Sequence, residues 1–280
     1  MIFIDLSGLF YLSIFRLEKN NIDITKDNLE RSLAQSIYWY RQKYSPDYGQ
    51  IVICCDSKSN WRRDLFPYYK QRRRDKRSED EKDWDSIFDM FSMVKTSFKE
   101  NLQEVVLEID DLEGDDLIAL GTKYINKRPH LIISSDKDMT QLTALPGVKM
   151  WHVLHQDFAT YDERALILQV LKGDRSDGVP SILCEDNHFV DENAPVKRLT
   201  KKYTEAVSAL TEPEIRRVFA DNPDLENIVE HFKRNLTLID LDYIPDKYKD
   251  IFKKEFITAY NMQKNHNSDA YFAELGINME

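Results

Sequence analysis

Four short apolar runs each lead directly into acid. "IFID" ends at Asp5, "IVICC" meets Asp56, "VVLEI" meets Asp110 and Asp111, and "HLIISS" meets Asp136. Runs without polar alternation suit strands enclosed on both faces, as in a parallel sheet covered by helices. Helical spacing lies between them, in Leu29, Leu33, Ile37, Tyr40 and Tyr44, and again in Ile87, Phe91, Val94 and Phe98. Alternating strands and helices predict a doubly wound α/β fold with right-handed crossovers. The C-terminal ends of such strands share one edge of the sheet, where ligands bind. Acids far apart in sequence are therefore expected to meet there.

The order of elements changes after Tyr161. "DERALILQVLKGD" predicts a helix capped by Asp162, and "ILCEDNHFVDENAPVKR" predicts a long loop. Ile215, Val218 and Phe219, then Leu225, Ile228, Val229 and Phe232, then Ile251, Phe252 and Phe256 mark further helices. The expected organisation is an α/β core over residues 1–160, with a basic segment at about 57–85, and a closely joined helical part over 161–280.

Composition narrows the class. With 42% apolar and 31% charged residues, the 280-residue chain has the profile of a globular protein. No apolar run reaches the ~20 residues of a membrane span, so no membrane association is expected. "MIFIDLSGLF" has no basic leader and reads as a first strand. Cys54, Cys55 and Cys184 make no disulfide framework and suggest free core thiols in a reducing cytoplasm, that of a host cell if the chain is phage-encoded.

A net charge of −10 argues against nucleic acid at first sight, but the charge is unevenly placed. Nine carboxylates stand at or near the strand ends: Asp5, Asp56, Glu113, Asp115, Asp116, Asp136, Asp138, Asp174 and Asp177. Each alone has an ordinary explanation as a helix cap or a first-turn acid. Their number does not, because like charges a few Å apart repel by a few kcal/mol at an effective dielectric near 20. Bound cations relieve that repulsion. The six histidines are scattered and no Cys/His zinc spacing occurs, so the all-oxygen donors suit Mg²⁺, with Mn²⁺ as a substitute. Nine acids suffice for two ions, and paired ions serve phosphoryl chemistry. Asp136 and Asp138, two residues apart, are expected to lie in extended chain and face adjacent ions.

"WRRDLFPYYKQRRRDKR", residues 61–77, holds eight basic and two acidic side chains. Its arginines and lysines are candidates for backbone phosphates. Trp61, Tyr68 and Tyr69 are candidates for stacking on unpaired bases. Arg62 and Lys70 are candidates for polarising a scissile phosphate.

Taken in order, these motifs resemble the 5′-nuclease superfamily of flap endonucleases, polymerase 5′→3′ exonuclease domains and phage ribonucleases H. "WRRDLFPYYKQRR" is similar to the family's arch segment, an aromatic–arginine pair followed by L-x-P-x-Y-K. "EGDD" resembles E-A-D-D, "SSDKDMTQL" resembles S-S-D-x-D-x-x-Q-L, and "KGDRSDGVP" resembles G-D-x-S-D-N-I-P. The paired "WRRD…YYK", the "IDLDYIPD" tail and the length are most similar to the T-even phage ribonuclease H branch. Gly114 stands where the family has alanine, Gly178 where it has asparagine, and "SILCEDNHFVDEN" replaces a glycine-rich helical hairpin.

The resemblance implies a PIN-like core with a mostly parallel twisted sheet, a basic helical arch and a helical C-terminal part that binds DNA. It implies a Mg²⁺-dependent 5′→3′ exonuclease, flap endonuclease and ribonuclease H that removes RNA primers and adjacent DNA on the lagging strand. One ion is expected at Asp5, Asp56, Asp115 and Asp136. The other is expected at Asp138, Asp174 and Asp177, with Glu113 and Asp116 acting through water. Lys70, Arg62, Asp136 and Asp115 would be catalytic. Trp61, Arg62, Arg63, Tyr69, Lys70, Arg72 and Arg73 would hold substrate, an RNA–DNA hybrid or a branched or flapped DNA. A single-strand DNA-binding protein and a sliding clamp are the candidate protein partners of an expected monomer. A PIN-type single-strand ribonuclease and a non-catalytic junction-binding protein are the alternatives.

Overall fold

The computed structural model describes residues 1–191 and 193–277. β1 (Ile2–Asp5) is entirely buried and runs without a loop into α1 (Leu6–Lys19). α2 (Lys26–Tyr48) returns to β2 (Ile51–Cys54), also fully buried. Two short helices then follow in the basic segment, α3 (Trp61–Leu65) and α4 (Gln71–Ser78). α5 (Trp84–Asn101), β3 (Val105–Leu107), α6 (Gly114–Tyr124) and β4 (His130–Ser134) continue the alternation. A 3-10 turn over Lys137–Ala144 leads to β5 (Val148–His152) and β6 (Asp157–Ala159). The rest is helical: α7 (Glu163–Lys172), α8 (Lys201–Ala206), α9 (Glu212–Val218), α10 (Leu225–Ile239), α11 (Lys247–Gln263) and α12 (Ser268–Glu274).

The strands form one sheet in the order β3-β2-β1-β4-β5-β6. All neighbours are parallel except β6, which pairs antiparallel with β5. The doubly wound, mostly parallel architecture is as the sequence implies. β5 and β6 are additions to the four expected strands. The loop over 182–200 carries no helix or strand among its described residues, and Asp162 caps α7 through Arg164 N at 2.9 Å. The three cysteines are free and buried. Among the described residues no helix is long and apolar enough to cross a membrane.

The chain divides into two compact units, and the division differs from a single boundary at residue 160. One unit comprises Met1–Ser59, Asp83–Thr160 and Pro245–Glu280, the other Asn60–Lys82 and Tyr161–Ile244. Side-chain packing explains both departures. In the second unit, Phe66 and Tyr69 of the basic segment join a core with Val170, Phe219 and Phe232. In the first, Tyr271, Phe272 and Ile277 enter the core under α2 and α5. The Tyr271 hydroxyl lies 2.6 Å from Glu30 Oε1, and Gln263 Oε1 accepts from Val106 N at 2.8 Å, so the C-terminal helices complete the sheet unit.

α6 lies close on β1 because residue 121 has no side chain. A Cβ there would fall 2.3 Å from the Phe3 ring, inside a fully buried layer. Gly121→Ala is expected to lower stability by about 1–3 kcal/mol through overpacking. Urea unfolding checks this; an unchanged midpoint would contradict it.

Candidate carboxylate site

The acids at the strand ends are held by short donors from the same edge. Asp5 caps α1, accepting from Gly8 N at 3.0 Å on Oδ1. Its other oxygen accepts from the Ser134 hydroxyl at 2.8 Å, and that hydroxyl also accepts from Asp136 N at 3.0 Å. Asp136 Oδ1 in turn accepts from Asp138 N at 2.9 Å. Asp56 accepts from the Ser7 hydroxyl at 2.8 Å and from Gly114 N at 2.7 Å. One chain of hydrogen bonds thus joins β1 to β4, and a second joins α1, the end of β2 and the start of α6. Gly8 leaves room for the first chain, because a Cβ there would lie 2.8 Å from Asp5 Oδ2.

The electrostatics show convergence. Burial pushes the Asp5 carboxyl up to about 6; the Gly8 amide and the Ser134 hydroxyl oppose this, while the charges of Asp56 and Asp136 add to it. The buried Cys54 thiol is also pushed well up, first by burial and Cys55, then by Asp5, Asp115 and Asp56. Asp5 thus feels Asp56 and Asp136 across the ends of β1, β2 and β4, and the Cys54 thiol feels Asp5, Asp56 and Asp115 at the start of α6. Behind this edge, Lys95 reaches the Asp56 backbone carbonyl at 3.4 Å and pairs with Glu108, which Lys99 also contacts at 2.7 Å.

Two details differ from the sequence expectation. Asp136 has extended backbone (φ −83, ψ 120) and caps the 3-10 turn, but Asp138 lies in that turn, so the extended chain ends between them. Asp116 is fully buried and accepts from Glu113 N at 3.1 Å, which makes it a cap for α6. An aspartate three residues into a helix start satisfies an orphan amide in this way.

In the second unit, "KGDRSDGVP" forms a tight loop. Asp174 Oδ1 accepts from Ser176 N at 2.7 Å and Ser176 Oγ at 2.5 Å, and Oδ2 accepts from Gln169 Nε2 at 2.8 Å. Asp177 accepts from the Tyr69 hydroxyl at 3.2 Å and pairs with Arg73 at 2.5 Å. Lys70 N donates to the Asp177 carbonyl at 2.7 Å, and Lys70 adopts φ +55. Gly178 has φ +74, and a Cβ there would approach the Tyr68 carbonyl to 2.9 Å, so only a residue without a side chain fits without strain.

The basic segment is more buried than expected. Trp61, Arg62 and Tyr69 are each at most 3% exposed, which does not match rings and a guanidinium offered to substrate. Arg62 Nε donates to the Leu238 carbonyl at 3.1 Å, and its guanidinium lies 4.5 Å from the Trp61 ring centre. Apolar packing has claimed these side chains as anchors. Arg63 and Arg72 are half-buried, and Arg73, Lys76 and Ser78 are exposed. The sequence missed Ser7 and Ser134; a hydroxyl one or two residues from a strand-end aspartate is the signal that marks both.

The donor set fits a hard divalent cation: all oxygen, crowded, and with one carboxyl driven toward its protonated form. Among the described residues, no three Asp, Glu, His or Cys side chains are placed so as to hold a metal ion together.

The family description "5′-3′ exonuclease, N-terminal resolvase-like domain" matches residues 1–170. The chain belongs to the 5′-3′ exonuclease family. Residues 161–279 of this family nuclease also match the C-terminal domain of T4 RNase H. It is 29% identical to ribonuclease H of Enterobacteria phage T4 over 93% of this chain and 85% of the relative. It is also 29% identical to flap endonuclease Xni of Shewanella pealeana, over 60% of this chain and 66% of that protein. Its fold matches the 5′-exonuclease of phage T5 with bound zinc (TM-score 0.65, 19% identity, 93% and 99% of the two chains). It likewise matches the T5 flap endonuclease in a pseudo-enzyme–product complex with DNA and metal ions (TM-score 0.63, 19% identity, 94% and 99%).

Raising the Asp5 pKa makes its contribution to stability complete at about pH 4 and lost as pH climbs through about 6. In EDTA, the stability of Asp5→Asn relative to wild type should therefore improve by about 2 kcal/mol from pH 4 to pH 8. Thermal melts across that range check it; parallel curves would contradict it.

Proposed function

We propose that this nuclease is a Mg²⁺-dependent, structure-specific 5′→3′ phosphodiesterase acting on RNA–DNA hybrid and on nicked or flapped duplex. Its role would be the removal of RNA primers and adjoining DNA during lagging-strand replication. The observation that carries this is the meeting of Asp5, Asp56 and Asp136 at one sheet edge, each oriented by hydrogen bonds from that edge, with Asp115 next to the Gly114 amide that donates to Asp56. The T4 ribonuclease H and the Shewanella flap endonuclease support the choice of substrates, and the T5 structures with zinc and with DNA and metal ions support a divalent metal cofactor.

Asp5, Asp56, Asp115 and Asp136 would hold a divalent ion, with Asp138 as a further oxygen donor of the same unit; in the second unit, Asp174 and Asp177 would offer oxygen donors of their own. Bound divalent ions supply positive charge that acidifies an attacking water and steadies the leaving oxygen. The protein's own groups do the rest. Ser134 and Ser7 fix the orientation of Asp5 and Asp56, so the carboxylates need little rearrangement on binding. Asp177 fixes Tyr69 and Arg73, which places the exposed part of the basic segment against its own loop. Lys70, Arg72 and Arg73 would carry the phosphate backbone. Trp61, Arg62 and Tyr69 act from beneath as supports.

A 5′-labelled flap duplex incubated with Mg²⁺ or with EDTA tests this. Cleavage is expected only with Mg²⁺, and Asp136→Asn should lower it by at least about a hundredfold while DNA binding survives. Full turnover by the variant, or cleavage in EDTA, would overturn the proposal.

A further inference from the structure

On the outer side of the sheet unit, aromatic rings and ammonium groups alternate on an exposed face. Trp39 of α2 is 46% exposed, and Phe158 of β6 is 43% exposed. Between them stands Trp151 of β5, whose ring meets Phe158 edge-on at 5.3 Å. The exposed Lys43 Nζ lies 4.5 Å from the Trp39 centroid and 4.3 Å from that of Trp151, with Tyr44 at 5.0 Å. At the other end, the exposed Lys149 Nζ lies 5.6 Å from the Phe158 centroid.

We propose that this strip, Trp39–Lys43–Trp151–Phe158–Lys149, binds the unpaired nucleotides of a nucleic-acid substrate. It rests on the nuclease function proposed above and adds a site for single strand that the carboxylate edge does not contain. Flat rings offer stacking faces that tolerate any base, and ammonium groups set among them neutralise the phosphodiesters between successive bases. A hydrophobic protein partner would call for an aliphatic surround, whereas here cations flank the rings at both ends. Asp157, beside the strip, accepts from Phe158 N at 2.7 Å. Position also favours a strand coming from the reaction. Trp151 is followed by His152, which stands in register with Ser134, the residue whose hydroxyl holds Asp5. The strip thus begins one strand away from the carboxylates, within the same unit. The ammonium–ring contacts keep the aromatic faces ordered before any ligand arrives, which reduces the entropy lost on binding.

The test uses the full chain in EDTA, with fluorescein-labelled oligothymidylate as probe and anisotropy as readout. Trp39→Ala and Lys43→Glu are each expected to weaken binding by roughly fivefold or more. Both should cleave a nicked duplex without unpaired nucleotides at the wild-type rate in Mg²⁺. Unchanged oligothymidylate affinity in both variants would overturn the proposal, as would an equal loss on the nicked duplex. Oligoglutamate is the competing probe: if it binds wild type and loses affinity in the variants while oligothymidylate does not, the strip is a peptide site and the proposal fails. Binding is read without metal, so failure of the strip leaves the nuclease function standing. Retained strip binding in a protein that cleaves nothing overturns the nuclease function alone.

Discussion

Like-charge repulsion at the C-terminal edge of β1, β2 and β4 is the constraint around which the sheet unit is arranged. Asp5 sits at the end of a buried strand where water cannot screen it, and Asp56 and Asp136 raise its pKa further. A fold tolerates this only if the carboxylates are held by donors and retained for a purpose. The donors are small and local: two serine hydroxyls and the amides of Gly8, Gly114 and Asp138. None of these donors carries a full positive charge; each orients an oxygen through a single hydrogen bond. Lys95, the ammonium that reaches the Asp56 carbonyl, is occupied by Glu108.

The second unit solves the opposite problem. A segment rich in arginine and lysine repels itself, and it is anchored by burying one face. Phe66 and Tyr69 enter the core with Val170 and Phe232, while Arg62 is stacked on Trp61 and bonded to the Leu238 carbonyl. Asp177 ties the segment to the "KGDRSDGVP" loop through Tyr69 and Arg73. The glycine at 178, where relatives of the motif carry asparagine, is accounted for by a positive φ beside the Tyr68 carbonyl.

Much of this was legible in the sequence, and the failures have physical causes. β1, β2, β3 and β4 are enclosed on both faces and so are written as unbroken apolar runs. β5 has exposed and half-buried positions, and β6 is three residues long at an edge, so neither leaves that signature. α1 was hidden because "IFIDLSGLF" stays apolar across the strand–helix junction. The acids were found because their number exceeds what capping requires, yet number alone could not separate Asp116, a buried cap, from Asp115 beside it. Which face of the basic segment is buried depends on packing partners a hundred or more residues away. Local pattern could not reveal that Trp61, Arg62 and Tyr69 are supports.

The central claim is that the strand-end carboxylates are oriented to take up divalent cations. Calorimetric titration of Mn²⁺ into the wild-type chain and into Asp5→Asn at neutral pH tests it most directly. The account predicts saturable uptake by the wild type and its loss in the variant. Uptake of the same magnitude in Asp5→Asn, or none in the wild type, would contradict it.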